Sequence, residues 1–212
     1  MALFVFVHGA GDVGATYDLV GDELRARAHD AAAPDLPSED PGASLEDYAA
    51  VVSAAAGGRE DVILVGHSLG GFAATLAAAR MSPQALVLLS AMIPAPGESP
   101  GEWWEATGYG DAVEDADDPY WHDVPADLAE RAGALERGQE AKPMDEPWPL
   151  DAWPDVPTRF LLLRDDRFFP PHFMRPLVRE RLGIEPDELD GGHMVMLSRP
   201  RALAERLAAY AG

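Results

Sequence analysis

The chain has 212 residues, a formal net charge of −21 and a pI near 4.4. This length fits one domain, residues 1–212, with a core large enough to need no disulfides. Cysteine is absent, which excludes disulfides, thiolate metal sites and cysteine nucleophiles. A surface this acidic repels nucleic acids and anionic membranes, so we expect neither as a partner.

The acidity has two interpretations. One is adaptation to high salt, where screening relieves self-repulsion. The other, which we favour, is a compositional bias towards Ala, Arg, Asp and Gly. No apolar run approaches the length of a membrane span, and the first residues enter an apolar strand without the basic leader of a signal peptide. These patterns predict a cytoplasmic protein, and they leave open secretion by a route that needs no such leader.

Apolar strands alternate with helices along most of the chain. Strands are predicted at residues 3–7, 31–33, 61–65, 85–89, 158–163 and 185–189, and helices at 15–27, 44–56, 72–81, 171–182 and 199–210. This alternation predicts an α/β fold with a mostly parallel sheet and helices on both faces. Ligands bind beyond the carboxyl ends of such strands, so the loops after these ends should gather at one rim.

Residues 95–157 break the alternation, and we call this segment the insertion. It is rich in proline and acidic residues and holds all five tryptophans of the chain. We expect a short lid over one end of the sheet and not a separate domain. Its tryptophans either line a substrate pocket or anchor the lid to the core, and we expect some to do each.

The segment Gly66-His67-Ser68-Leu69-Gly70 has the pattern G-x-S-x-G between an apolar strand and an alanine-rich helix. A serine on so sharp a strand-to-helix turn exposes its hydroxyl above the sheet as a nucleophile. The flanking glycines fit because side chains there would crowd the turn. This pattern in this context predicts a nucleophilic serine at position 68.

A serine hydroxyl needs a base to take its proton, and histidine suits that task near neutral pH. Of the six histidines, His193 follows the last strand on a glycine-containing loop that can reach back over the serine, and we assign it as the base. His67 belongs to the turn itself, and we expect its ring to pack locally. The others are expected at the first glycine loop (His8) or at the surface and lid (His29, His122 and His172).

The base needs an acid to fix its tautomer, and the tetrahedral oxyanion needs two backbone N–H donors. Asp166 follows the strand that ends at residue 163 and is our first choice of acid, with Asp165 as the second. The chain order Ser, Asp, His then agrees with a nucleophile-elbow hydrolase. The donors are expected at Leu69, directly after the nucleophile, and at Ala10 in the glycine-rich loop.

Four segments carry a resemblance to a known family. They are Phe-Val-His-Gly-Ala at 6–10, Gly-His-Ser-Leu-Gly-Gly at 66–71, Leu-Ser-Ala-Met-Ile-Pro at 89–94 and Gly-His-Met-Val-Met-Leu-Ser at 192–198. With them the chain resembles the α/β-hydrolase family over nearly its whole length, and within it the small branch of plant methylesterases and hydroxynitrile lyases. The resemblance implies the α/β-hydrolase fold with a short lid, and it supports Asp166 over Asp165 as the acid. Lyases of this branch place threonine where Gly9 stands and lysine where Met194 stands.

Together these features predict a serine hydrolase that cleaves a small or medium carboxylic ester through an acyl-enzyme. Thioesterase and lactonase chemistry share that mechanism and stay open. A non-catalytic ligand-binding protein of the same fold and a hydroxynitrile lyase-type activity are the alternatives. Substrate contacts are expected at His8, Gly9, Ser90 and Trp121. No metal cluster or nucleotide-binding loop is visible, so no cofactor is implied; the expected partner is a small-molecule ester, and the oligomeric state is not indicated.

Overall fold

A parallel sheet of six strands forms the centre of the computed structural model, which describes residues 1–212. In chain order the strands are β1 (Leu3–Val7), β2 (Asp30–Ala32), β3 (Val62–Ser68), β4 (Ala85–Ala91), β5 (Thr158–Leu163) and β6 (Asp187–Leu189). They lie in the order β2-β1-β3-β4-β5-β6, and every neighbouring pair is parallel. The expected α/β sheet is therefore confirmed.

Ten α-helices accompany the sheet: α1 (Asp18–Arg25), α2 (Leu45–Ala55), α3 (Gly70–Met81), α4 (Pro100–Ala106), α5 (Tyr109–Ala112), α6 (Ala126–Gly133), α7 (Lys142–Asp145), α8 (Pro171–Leu182), α9 (Val195–Ser198) and α10 (Pro200–Ala208). Helices α2, α3 and α8 contribute to the apolar cluster on one face of the sheet, and α1, α9 and α10 to that on the other. None of the helices is both long enough and apolar enough to cross a membrane.

Strand β1 shows why both faces need cover. Its five residues are all buried, with Leu3, Val5 and Val7 in one cluster and Phe4 and Phe6 in the other. Successive side chains of a strand point to opposite faces, so a strand without polar residues buries both of its faces. The uninterrupted apolar run in the sequence is the direct signal for this central position.

Several predicted boundaries were wrong. The helix expected over 15–27 begins as a 3₁₀ turn at Gly14–Tyr17 and continues as α1 only to Arg25. Strands β3 and β4 run on to Ser68 and Ala91, because ladder pairing with each other carries them beyond their apolar runs. Helix α9 was not predicted, since four residues are too few to show a helical period.

Gly70 at the start of α3 lies so close to β1 that no side chain fits. A Cβ there would stand 2.2 Å from the Val7 carbonyl oxygen and 2.7 Å from that of His8. We expect Gly70→Ala to lower the free energy of unfolding by about 3 kcal/mol, because backbone must move to admit the methyl group. Urea unfolding followed by circular dichroism measures this change.

The matched control is Gly110→Ala in α5, where an added Cβ meets nothing within 4 Å. There the methyl group should change stability by less than about 1 kcal/mol, in the favourable direction. Equal unfolding midpoints for the two variants would contradict the close approach of α3 to β1.

Candidate active site

Ser68 stands at the sharp turn between β3 and α3. Its φ of +52° lies in the left-handed region, which a residue with a side chain rarely adopts. Strain of this kind costs about 1–3 kcal/mol and persists where the surroundings enforce it. Two positions before it, a Cβ on Gly66 would lie 2.7 Å from the Ala74 Cβ, so the turn closes only with glycine there.

His193 and Asp166 form a buried pair beside this turn. The His193 Nδ1–H donates to Asp166 Oδ2 over 2.8 Å, and each residue is only 2% exposed. The Ser90 hydroxyl donates to the same oxygen at 2.5 Å, while Oδ1 accepts the backbone N–H groups of Phe168 and Phe169, both at 2.8 Å. With Nδ1 protonated, the neutral imidazole keeps a free lone pair on Nε2 for accepting a proton.

Asp166 remains a carboxylate in this dry environment. Burial alone would raise its pKa, but the attraction between the carboxylate and protonated His193 and the hydrogen bonds from His193, Ser90 and Phe169 hold the pKa below its usual value. An ionised acid opposite Nδ1 stabilises the imidazolium that forms when the base takes a proton.

Asp165, the second choice of acid, makes no contact of this kind. It is exposed, and its Oδ2 accepts the Gly191 N–H at 3.0 Å while its own N–H donates to the Gly191 carbonyl at 3.1 Å. From the insertion, Asp123 Oδ2 accepts the Gly192 N–H at 2.8 Å. Both carboxylates therefore hold the loop that carries His193.

Ser90 and His8, expected to contact substrate, do not line the catalytic cavity. Ser90 is buried and serves Asp166, as described above. His8 is also buried: its Nε2 accepts the Leu36 N–H and its Nδ1–H donates to the Gly9 carbonyl, each over 2.9 Å. The polar side-chain atoms of both residues are already hydrogen-bonded to neighbouring protein groups. We therefore assign both residues a supporting role in place of direct substrate contact.

His67 packs inside the turn, as the sequence suggested. Its Nε2–H donates to the His193 backbone carbonyl at 3.1 Å, and the two rings lie 4.6 Å apart. Burial holds the pKa of His67 well below its usual value, so the ring stays neutral next to His193. The hydrogen bond ties the loop of His193 directly to the strand that carries the serine.

A buried neutral histidine makes folding sensitive to mild acid. Below about pH 6.5 the unfolded chain protonates His67 while the folded chain does not, so the free energy of unfolding falls as the pH falls. Between pH 7 and 5.5 one such residue accounts for about 1 kcal/mol of that decrease. We expect His67→Asn to reduce the pH dependence by this amount in urea unfolding at both pH values.

Ser53→Ala in α2, which removes no titratable group, is the control and should leave the pH dependence unchanged. The same decrease in stability between pH 7 and 5.5 in wild type and in His67→Asn would contradict a neutral His67.

A cavity of about 290 Å³ opens over Ser68 and His193. Seventeen residues line it, and ten of them are hydrophobic. The backbones proposed as oxyanion donors, Ala10 and Leu69, belong to its wall together with Gly9. At Gly9 an added Cβ would lie 2.9 Å from the Ser68 Cβ, so the glycine loop passes directly beside Ser68.

The insertion supplies much of the remaining wall, and its tryptophans divide as expected. Trp104 and Trp121 line the cavity. Trp103 and Trp148 are fully buried, and their indole N–H groups donate to the Ile93 carbonyl and to the Thr75 hydroxyl, both at 3.1 Å. Anchoring and lining tryptophans thus belong to the same segment, and the anchors fix the lid to the core beside the cavity.

Several lining residues were not predicted individually: Asp12, Trp104, Tyr120, Ala132, Glu136, Met144 and Phe168. Tyr120 and Phe168 set their rings against His193, with centroids 5.6 and 5.0 Å away. The insertion has no periodicity that would show which of its residues face the site. Only Asp12 carried a signal, because it lies in the glycine-rich loop after β1.

The comparisons with known proteins concern the family and the fold of the chain. The profile of the alpha/beta hydrolase family matches residues 4–206. The probable esterase PIR7A of rice (Oryza sativa subsp. indica) is 30% identical over 96% of this chain and 94% of its own. The chain belongs to the alpha/beta hydrolase family. The resemblance stated from the sequence is thereby confirmed.

Two further proteins are similar to this chain. A pyrethroid hydrolase of Sphingobium wenxiniae is 28% identical over 98% of this chain and 86% of its own. The crystal structure of polyneuridine aldehyde esterase superposes with a TM-score of 0.85 over 100% of both chains, at 22% identity. The second comparison concerns the fold alone, and it agrees with the α/β-hydrolase architecture expected.

Proposed function

We propose that the protein is a serine carboxylesterase in which Ser68 is the nucleophile, His193 the general base and Asp166 the acid that orients it. Ser68 attacks the ester carbonyl as His193 takes its proton, and the backbone N–H groups of Ala10 and Leu69 stabilise the oxyanion. The alcohol leaves with the proton from His193. Water, activated by the same histidine, then hydrolyses the acyl-enzyme.

The hydrogen bond of 2.8 Å between His193 and Asp166, beside the cavity that also exposes Ser68, carries this proposal. It supplies the base with the correct tautomer at the place where the strained turn presents the serine. The names of the relatives, an esterase and a pyrethroid hydrolase, support ester hydrolysis as the reaction class.

The wall of the cavity argues against the lyase alternative. Met194 lines it, and a thioether cannot stabilise a departing cyanide as an ammonium group does. A threonine side chain at position 9 would crowd the nucleophile, since even a Cβ there would lie 3.3 Å from Ser68 Oγ. We therefore propose hydrolysis and not cyanide release.

The cavity limits the size and polarity of the substrate. Its volume of about 290 Å³ and largely hydrophobic lining fit small or medium esters with an apolar portion. We expect turnover of p-nitrophenyl esters to be highest for short acyl chains and to decrease once the chain exceeds the cavity.

The test is to detect the acyl-enzyme itself. Wild type mixed with p-nitrophenyl acetate and quenched in acid should gain one acetyl group, located on Ser68 by peptide mass spectrometry. His193→Ala should label far more slowly, because no base takes the serine proton. Rapid acetyl transfer to another residue, with none on Ser68, would contradict the proposed mechanism.

A further inference from the structure

The catalytic cavity is negatively charged as well as apolar. Its lining includes two carboxylates, Asp12 and Glu136, and no lysine or arginine. The arginine next to Glu136 does not neutralise them, because Arg137 pairs with Asp35 at 2.8 Å. A group that enters the cavity therefore meets negative charge that no cationic side chain of the wall offsets.

Asp12 is fixed in place on the loop that supplies the proposed oxyanion donor Ala10. Its Oδ1 accepts the Val13 N–H at 2.8 Å and the Thr16 hydroxyl proton. Its Oδ2 is buried and has no hydrogen-bond partner in the protein. These bonds keep the carboxylate from turning away, and they leave one oxygen whose charge no protein donor takes up.

The other polar and aromatic groups of the wall have the same electrostatic character. His67, buried and neutral, has an Nδ1 with no donor opposite it. Three large rings, those of Trp104, Tyr120 and Trp121, also line the cavity. The faces of aromatic rings carry partial negative charge and attract cations, most strongly where water is excluded. Carboxylates, a free lone pair and ring faces all favour a positively charged guest.

We propose that this esterase selects esters that carry a substituted ammonium group over uncharged esters of the same shape, with Asp12 and Glu136 as specificity-determining residues. The inference rests on the proposed function, since the same cavity and the same serine act on the ester bond. The ammonium group takes no part in bond breaking. Its charge strengthens binding of the substrate in the cavity.

Acetylcholine and 3,3-dimethylbutyl acetate test this selectivity, because they differ only by nitrogen against carbon at the branched centre. At low ionic strength we expect the wild-type kcat/KM for acetylcholine to be at least about tenfold higher than that for 3,3-dimethylbutyl acetate. This is the size of effect that one desolvated cation–π contact gives. Asp12→Asn and Glu136→Gln should each lower this ratio about threefold or more, whatever change each variant makes to kcat/KM for the neutral ester.

Glu60→Gln is the matched control for the general attraction of cations to an acidic protein. Glu60 is exposed and lies just before the first residue of β3, whereas Ser68 is the last residue of that strand. Its variant should keep the wild-type ratio. A ratio at or below one in wild type, or an equal decrease in Glu60→Gln and Asp12→Asn, would overturn the proposal.

Binding measurements separate this inference from the esterase mechanism. Choline and 3,3-dimethylbutan-1-ol can be titrated against tryptophan fluorescence, since two indoles line the cavity. We expect choline to bind more tightly, and Asp12→Asn to remove the difference. Tighter binding of choline without turnover of either acetate would refute the proposed function and leave the cation-selective cavity standing. Turnover of the neutral acetate with no preference for acetylcholine would support the proposed esterase function and refute the cation selectivity.

Discussion

Ser68→Ala should lower kcat for p-nitrophenyl acetate by about 10⁶-fold, the loss expected when a triad nucleophile is removed. The variant keeps the Cβ and loses only the hydroxyl, so the cavity and the oxyanion loop stay in place. The remaining rate comes from binding and from the backbone donors alone, because no covalent route is left. Steady-state hydrolysis at high enzyme concentration measures this loss.

The control is Ser53→Ala in α2, where the same atom is removed far from the site. The Ser53 hydroxyl only donates to the Ala49 carbonyl of its own helix, so this variant should hydrolyse the ester at the wild-type rate. Unfolding midpoints of both variants should stay close to that of wild type. Equal rates for wild type and Ser68→Ala would refute Ser68 as the nucleophile.

Asp166→Asn should lower kcat by about 10⁴-fold, although the amide has nearly the same shape as the carboxylate. Its NH₂ group would face His193 Nδ1 and favour the tautomer protonated on Nε2. The base would then offer a proton to Ser68 where it should accept one. Burial adds to the effect, because the neutral amide replaces the negative carboxylate that would stabilise the His193 imidazolium at this buried position.

Asp165→Asn provides the control for the neighbouring acid. An asparagine there still offers a carbonyl oxygen to the Gly191 N–H, so the loop of His193 keeps its support. We expect this variant to lose less than tenfold in kcat. A larger loss in Asp165→Asn than in Asp166→Asn would reverse the assignment of the acid.

The choice between Asp165 and Asp166 illustrates what the sequence could predict and what it could not. The resemblance favoured Asp166, but chain order does not separate two adjacent aspartates in one loop. The structure separates them by direction: Asp166 points inward to His193, while Asp165 lies exposed and holds Gly191. A sequence does not encode the turn of a loop as plainly as it encodes a strand.

Ser90 and His8 are two further residues whose side-chain direction the sequence did not show. Their positions at the ends of β4 and β1 were visible in the sequence, and such positions favour functional residues. Whether the side chains face the cavity or the groups behind it depends on the packing of β5 and of the loop near Leu36. In the structure Ser90 donates to Asp166 and His8 bonds to the backbone of Leu36 and Gly9, and neither residue lines the cavity.

The sequence by itself determined the sheet, the nucleophile turn and the gathering of Ser68, Asp166 and His193 at one rim. The sequence shows the apolar runs, the glycines of the turn and the order of the three residues along the chain. The first two follow from the geometry of strands and turns. Only the tertiary structure decided which residues of the insertion enclose the cavity and that Asp12 and Glu136 give it negative charge. The insertion lacks a regular period, and its contacts join residues far apart in the chain, so its orientation emerges only when the whole core is packed.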